Sequence, residues 1–285
     1  MNFESFYLKM NTNNYLKRLG CKNNEIVSLE NLRSLQKQHL LTIPFENLSL
    51  MTKNKVEMNL EKIFNKIINE HRGGFCFELN QLFAWLLKAL GYELKLVACR
   101  VFGVSTKTYT PWYSHIAIVV KLNEKEYLVD VGFSSACRFP IELVPDRIQK
   151  DLIGRIKINS ANSDETGMQN SFTLLRCEVA DLNQWTPMYQ FSMDAKQISD
   201  FEEMLEWVQS PACPRFFNRS ICVIHFEKYL LMLVGYRLTK IEFNESIEIN
   251  RIDTELNNKE EVYQTIRTLF NLIKFNQKFE PIDIK

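Results

Sequence analysis

Arg72-Gly-Gly-Phe-Cys-Phe-Glu-Leu-Asn-Gln-Leu-Phe-Ala-Trp-Leu-Leu-Lys-Ala-Leu-Gly91 is the stretch that decides the fold. Leu79, Leu82, Phe83, Leu86, Leu87 and Leu90 recur at three- and four-residue steps, which is one apolar stripe down a helix, and Gly91 supplies the usual stop. The pattern predicts a helix beginning just after two glycines, with Cys76 in its first turn. Unpaired backbone amides and the helix dipole favour negative charge there, and thiolate is the nucleophilic form of cysteine. The two glycines are expected to let the backbone come close to a ligand. Helical phase equally allows a plain buried cysteine, because Cys76 lies three steps before Leu79 and burial is the usual fate of a free thiol. On this segment alone both readings stand.

Upstream, Leu29, Leu32 and Leu35 keep a helical interval until Pro44 ends it, so the first seventy residues read as mostly helical. Downstream, the texture changes to β-branched and aromatic runs over 94–102, 115–121 and 126–133, which read as antiparallel strands. A further strand is expected over 171–179, after a polar stretch from Asn159 to Asn170 that is the best candidate for mobility. Beyond Asp194, residues 198–208 read as helix, 221–229 and 230–238 as strands, and 262–273 as a closing helix. No repeat, heptad array or low-complexity tract is present.

A base and its orienter fit the two strands after the helix. Lys121 to Glu126 is polar enough to turn a hairpin, and an even loop there gives paired positions whose numbers sum to 245 or 247. His115 and Asp130 sum to 245 and therefore share a face, directly opposite or one diagonal apart. Asp130 interrupts the apolar run Tyr127-Leu-Val-Asp-Val-Gly-Phe133, and an acid inside such a strand needs a partner. A structural His-Asp pair without a thiol remains the alternative. His39 and His71 sit in polar helical or turn contexts and His225 in an apolar strand, so each reads as structural or solvated.

Composition narrows the classes. The chain has 285 residues, 46% of them hydrophobic, with 35 Lys and Arg against 34 Asp and Glu. A net charge of +1 offers no footprint for nucleic acid or a membrane surface, so the expected partner is a small molecule. Seven cysteines without a CxxC spacing argue against a disulfide framework or a metal site, and no apolar run approaches the roughly 18 residues of a membrane span. The acidic start Met1-Asn-Phe-Glu4 is unlike a signal peptide, and a reducing cytoplasm is expected. The sequence sets no oligomeric state.

Arg72-Gly-Gly-Phe-Cys-Phe-Glu-Leu-Asn80, Ser114-His115 and Asp130-Val-Gly-Phe133, with the upstream Ile43-Pro-Phe-Glu-Asn-Leu48, resemble the signature segments of the arylamine N-acetyltransferases. Spacings of 39 residues from Cys76 to His115 and 15 from His115 to Asp130 match as well. Ser210-Pro211 and Leu269-Phe270-Asn271 resemble later landmarks of the family. The resemblance implies an α+β fold with a cysteine-protease-like Cys-His-Asp core: a helical bundle (1–91), an antiparallel β-barrel (92–197) and an α/β lid (198–285). It implies Cys76 as nucleophile, His115 as base and Asp130 as the orienter of the imidazole. Phe45 and Phe133 would line the acceptor pocket, Ser114 would meet coenzyme A, and Glu46 with Arg72 would brace the active-site loop. Acetyl-CoA would donate to an aromatic amine or hydrazine by ping-pong kinetics, without a metal. One departure stands out: glycine commonly follows Asp-Val-Gly-Phe, whereas Ser134 and Ser135 follow here, side chains that would narrow the cleft. The same chemistry also serves thiol-dependent acyl hydrolases and amide synthases, and a binding module could keep the fold without turnover.

Overall fold

The computed structural model describes residues 10–21, 26–133, 137–152, 154–161, 168, 170–177, 184–243 and 249–283. Its N-terminal part is helical: α1 (Thr12–Leu19), α2 (Leu29–Thr42), α3 (Leu48–Met51), α4 (Leu60–Phe64, continuing as a π-helical turn over Asn65–Asn69) and α5 (Cys76–Ala89). Helix α5 carries the stripe read from the sequence. Leu79, Leu82, Phe83, Leu86 and Leu87 are all fully buried, each contributing about 1.5–3 kcal/mol of apolar burial. At its start the Glu78 carboxylate turns back to accept from the Phe75 amide at 3.2 Å. At its end Gly91, with φ of 92°, allows the Tyr92 amide to reach the Leu87 carbonyl at 3.0 Å and the Gly91 amide to reach that of Lys88, a Schellman close.

His39 corrects one expectation. It is wholly buried, not in a polar context, with Nδ1 2.9 Å from the Tyr15 hydroxyl and its ring edge-on to Phe83. Burial first, then the charge of Arg18, lowers its pKa to about 3, so it is a neutral strut between α1, α2 and α5. His71 is exposed at a positive φ of 57°, and His225 is buried in a strand.

The central sheet runs β2 (Glu93–Gly103), β3 (Thr108–Tyr109), β4 (His115–Leu122), β5 (Lys125–Val129), β6 (Ile141–Glu142), β7 (Gln149–Asp151), β8 (Gly154–Ala161), β9 (Ser171–Cys177) and β10 (Trp185–Ser192). Its antiparallel order is β6-β5-β4-β2-β10-β9-β8-β7, with β3 on β2. The two end strands meet through Gln149, whose carboxamide donates to the Glu142 carbonyl at 2.9 Å and accepts its amide at 3.0 Å, in place of a backbone pair. The sheet thereby approaches closure as a barrel. Ile116, Ile118 and Val120 of β4 pack toward the helices, while Ala117 and Val119 face the barrel interior, so this strand is buried on both sides. The polar stretch expected to be mobile falls largely on 162–167 and 169, outside the described residues, as do positions 178 and 179 of the expected fourth strand.

A second sheet has the order β1-β11-β12-β13-β14, from β1 (Phe45–Glu46), β11 (Ile221–His225), β12 (Tyr229–Val234), β13 (Arg237–Phe243) and β14 (Ile249–Glu255). The expected strand over 230–238 is two strands, because Gly235 at φ 59° turns the chain between Val234 and Arg237. Helix α6 (Glu202–Val208) follows a 3-10 turn at Ile198–Phe201, α7 spans Pro214–Phe217, and α8 (Lys259–Leu269) packs its Val262 and Ile266 on this sheet. Helix α8 starts earlier than hydrophobic phase suggested, since Asn258 caps it by accepting the Glu261 amide at 3.0 Å.

Candidate active site

The β4–β5 hairpin sets the first two groups. Asn123 and Glu124, both at positive φ, make a two-residue turn, and the register pairs Ile118 with Val129. Pairing therefore stops just before Asp130, which lies one diagonal from His115, the second of the two geometries the sequence allowed. His115 Nε2 is 2.8 Å from Asp130 Oδ2. The other carboxylate oxygen accepts from Asn80 Nδ2 and from the Gly132 amide, each at 2.8 Å. Asn80 in turn donates to the Ile116 carbonyl at 2.7 Å and accepts the Val131 amide at 2.9 Å. One turn before Asn80 on α5 stands Cys76, hydrogen-bonded to the same imidazole. With Nε2 committed to the carboxylate, Nδ1 is the ring nitrogen left for the thiol.

Electrostatics follow from this packing. Burial pushes the His115 pKa down, but the Asp130 charge, the hydrogen bond to it and the contact with Cys76 outweigh burial and raise it to about 10. Asp130 is pushed up by burial and pulled below the ordinary carboxylate range by His115, Asn80 and the Gly132 amide. An imidazolium beside a sulfur is the electrostatic complement of a thiolate. Tyr189 completes the surround: its ring centroid is 5.2 Å from that of His115, and its hydroxyl hydrogen-bonds Asp130.

Three glycines allow the close approaches, and they correct the expectation that Gly73 and Gly74 serve a ligand. A Cβ on Gly73 would lie 2.0 Å from the Pro44 carbonyl oxygen, and one on Gly74 would lie 2.8 Å from the Glu78 carboxylate. The pair lets backbone meet β1 and the helix-start carboxylate. Gly132 does the same for the site itself, since a Cβ there would be 2.6 Å from Cys76 Cα and 2.7 Å from Asn80 Nδ2. The expected brace is also present: Arg72 meets Glu46 Oε1 from Nε at 2.9 Å and Nη2 at 2.8 Å, and the Leu48 amide donates to Oε2 at 2.8 Å.

Cys76 and His115 open onto a cleft of about 490 Å³ of free space, and Phe45, Phe133 and Ser114 are on its wall. All the site residues named from the sequence are thus gathered here, with Asp130 directly behind His115. Ser134 and Ser135 lie outside the described residues. Sequence reasoning missed Asn80, although a polar residue one turn from Cys76 inside an apolar stripe was a usable signal. It also missed Val101, Thr110, Trp207, Val208, Cys213 and Phe216 on the cleft wall, for which sequence offered none. Thr110 Oγ1 accepts the Val101 amide at 2.8 Å, donates to the Val101 carbonyl at 3.3 Å, and is 2.5 Å from Ser114 Oγ. Two cations flank the loop carrying Ser114: Arg100, over the rings of Tyr109 and Trp112, and Lys196, over Tyr113. Among the described residues no His, Cys, Asp or Glu group could hold a metal, and no helix is long and apolar enough to cross a membrane.

Comparison with known proteins finds relatives over most of the chain. The family model described as N-acetyltransferase matches residues 28–278. The chain is 29% identical over 97% of its length, and 98% of the relative's, to the arylamine N-acetyltransferase, pineal gland isozyme NAT-10, of Gallus gallus. In fold it is similar to the arylamine N-acetyltransferase of Salmonella typhimurium, with a TM-score of 0.82, 23% identity, and coverage of 93% of this chain and 92% of that one. The arylamine N-acetyltransferase of Mycobacterium marinum in complex with CoA matches at a TM-score of 0.80 and 22% identity, over 92% and 93% of the two chains.

Proposed function

The chain belongs to the arylamine N-acetyltransferase family, a family of acyltransferases, and from that premise we propose that it moves acetyl from acetyl-CoA to the nitrogen of an aromatic amine or hydrazine through a thioester on Cys76. Cys76 is the nucleophile, His115 the base and Asp130 the orienter. The observation that carries this reading is one buried imidazole hydrogen-bonded to a carboxylate on one side and a helix-start thiol on the other, at a cleft. In the first half-reaction the sulfur attacks the acetyl carbonyl and the C–S bond to coenzyme A breaks. The proton from Cys76 passes through His115 Nδ1 to the departing coenzyme A thiolate. In the second the amine attacks the thioester, its proton passes through His115 to Cys76, and the amide leaves. Backbone amides near Cys76 would hold the oxyanion.

Phe45 and Phe133 line the acceptor side and Ser114 meets the donor, with Arg100 and Lys196 close enough to the same loop to favour a polyanionic thioester. The proposed division is a helical part (1–91) with the nucleophile, a barrel part (92–197) with base and orienter, and an α/β lid (198–285). We place the protein in a reducing cytoplasm, without nucleic-acid or membrane partners. That the seven cysteines are thiols rather than disulfides supports that setting.

Labelled acetyl-CoA followed by peptide mapping tests the reading. Cys76 is expected to carry all the label, to hold it after denaturation, and to release it when an aromatic amine is added. Label on any other cysteine, or steady loss to water without amine, contradicts it. Gly132→Ala should keep the barrel signal in circular dichroism yet slow single-turnover acetylation by about 10²-fold, because the added methyl must force strand and helix apart by a fraction of an ångström or more. An unchanged rate would show that the strand-to-helix fit does not set the thiol–imidazole geometry.

A further inference from the structure

One edge of the second sheet is left bare. Strand β14 ends the order β1-β11-β12-β13-β14, and among the described residues no strand pairs with its far side. It runs beside β13 for seven residue pairs without a register shift, and Asn250 through Glu255 are all exposed. Its side-chain contacts turn back to β13 or stay within the strand. Asn250 Nδ2 donates to Glu242 at 3.1 Å, Asp253 accepts from the buried Thr239 hydroxyl at 2.5 Å, and Arg251 Nε is 3.2 Å from Asp253 Oδ2. A regular edge of this length presents a row of outward N–H and C=O groups that template another strand. Proline, a bulge or lysine ordinarily blunts such an edge, and Ile249-Asn-Arg-Ile-Asp-Thr-Glu255 has none of them.

The charges along the strand decide what fits it. A copy of the chain that continues the sheet across a two-fold axis pairs antiparallel, with facing side chains on the same side of the sheet, so one residue of β14 lies opposite itself. Centred on Arg251 or Asp253, that pairing sets a charge against its own copy. Centred on Thr254, it sets Asp253 against the partner's Glu255. Centred on Ile252, it sets Arg251 opposite the partner's Asp253 and Asp253 opposite the partner's Arg251, and cross-strand pairs of opposite charge are the favourable ones. Ile252 is also the midpoint of 249–255, so this register alone pairs all seven residues. The side chain of Ile252 is 45% exposed and has Lys240 opposite it on β13, whereas on the outer side it would meet the partner's Ile252.

We propose that β14 docks on β14 of a second copy of this chain, antiparallel and centred on Ile252, joining two five-stranded sheets into one. None of these residues lines the Cys76 cleft, so the pairing and the acetyl transfer stand or fall separately.

Sedimentation velocity tests the pairing. A contact through one strand belongs to the small interfaces below about 1,200 Å², which are weak, so a dissociation constant on the order of 100 µM is expected. The wild type should therefore be mostly monomer at about 5 µM and mostly dimer at about 500 µM. Arg251→Asp leaves two acids at the paired positions and Asp253→Arg leaves two bases. Each variant sets like charges across the axis twice and should weaken self-association at least about tenfold. Mixed in equal amounts, the two variants complement each other at both positions and should associate at least as tightly as the wild type. Circular dichroism confirms that each is folded. Where Asp253→Arg does not fold, since it takes the acceptor from Thr239, hydrogen exchange of the wild type decides instead: protection of the 249–255 amides should rise from the lower to the higher concentration. A wild type that stays monomeric at the higher concentration overturns the proposal. So do single variants that associate like the wild type, a mixture no tighter than either variant alone, or concentration-dependent protection confined to another part of the chain.

Discussion

Asp130→Asn is expected to keep the fold and to lose about 10⁴ in the rate of Cys76 acetylation, the size of the corresponding change in serine enzymes. Hydrogen-bond polarity at this carboxylate makes the loss unavoidable. Oδ1 is fixed by two donors, Asn80 Nδ2 and the Gly132 amide, and Oδ2 faces His115 Nε2. An asparagine has one oxygen, and two waiting donors claim it. Its NH2 then faces Nε2, which must give up its proton and become an acceptor, so the imidazole carries its proton on Nδ1 instead. That nitrogen is the one available to Cys76, and a protonated Nδ1 on a neutral ring cannot take the thiol proton. The opposite amide orientation would set NH2 against both donors and is worse.

Charge adds to the tautomer effect. Asp130 is the largest of the influences that offset burial and hold the His115 pKa near 10, so its neutralisation lowers that pKa. Single-turnover acetylation in both proteins, with circular dichroism to confirm folding and nitrogen NMR of the histidine to read the tautomer, decides the matter. A loss under about tenfold, roughly 1.4 kcal/mol, would reduce Asp130 to a supporting part. Acetylation at the wild-type rate would remove it from the reaction.

The parts of this site legible in the sequence were those fixed by local chain geometry. Helix α5 was readable because its stripe, its preceding glycines and its closing Gly91 all act within twenty residues. Shared facing of His115 and Asp130 was readable because a two-residue hairpin restricts register to two solutions. Which solution held was not, because Asp130 leaves the ladder to collect Asn80 and Gly132, and those partners come from elsewhere in the fold. Gly73 and Gly74 were visible as special, yet the purpose of Gly73 depends on the Pro44 carbonyl, which the fold brings up from a separate part of the chain. The same limit hid Trp207 and Phe216, whose surroundings give no periodicity pointing to Cys76. Barrel closure by the Gln149 side chain has no sequence signature, since a carboxamide replaces the strand pairing that a pattern could reveal.

Glu46→Ala is expected to cost about 3–5 kcal/mol at neutral pH, far more than a surface ion pair contributes. Both partners are buried, Glu46 completely and Arg72 to 7% exposure, so deleting the carboxylate leaves a guanidinium in the interior with only the Ser49 hydroxyl at 3.3 Å and the face of Phe275 for company. The Leu48 amide loses its acceptor as well. Burial pushes the Glu46 pKa up, and Arg72, Lys66 and the Leu48 amide more than reverse it, leaving the carboxyl below its ordinary value. A folded pKa below the unfolded one stabilises the protein fully above the unfolded value of about 4.3, and the gain is lost as pH falls through the lower folded value. Urea unfolding of wild type and variant should therefore show their widest separation at neutral pH and a narrowing one below about pH 4, where the wild-type carboxyl also takes a proton. A separation under about 1 kcal/mol at neutral pH would mean that water reaches the pair and that the brace is weak. The consequence extends to the nucleophile, because the Glu46 amide donates to the Gly74 carbonyl at 2.8 Å, two residues before Cys76. Loosening that strand should slow acetylation in Glu46→Ala even where the protein remains folded, and Glu46→Gln, which keeps the side-chain shape and an acceptor for the Leu48 amide, should recover part of the rate without recovering the pH-dependent stability.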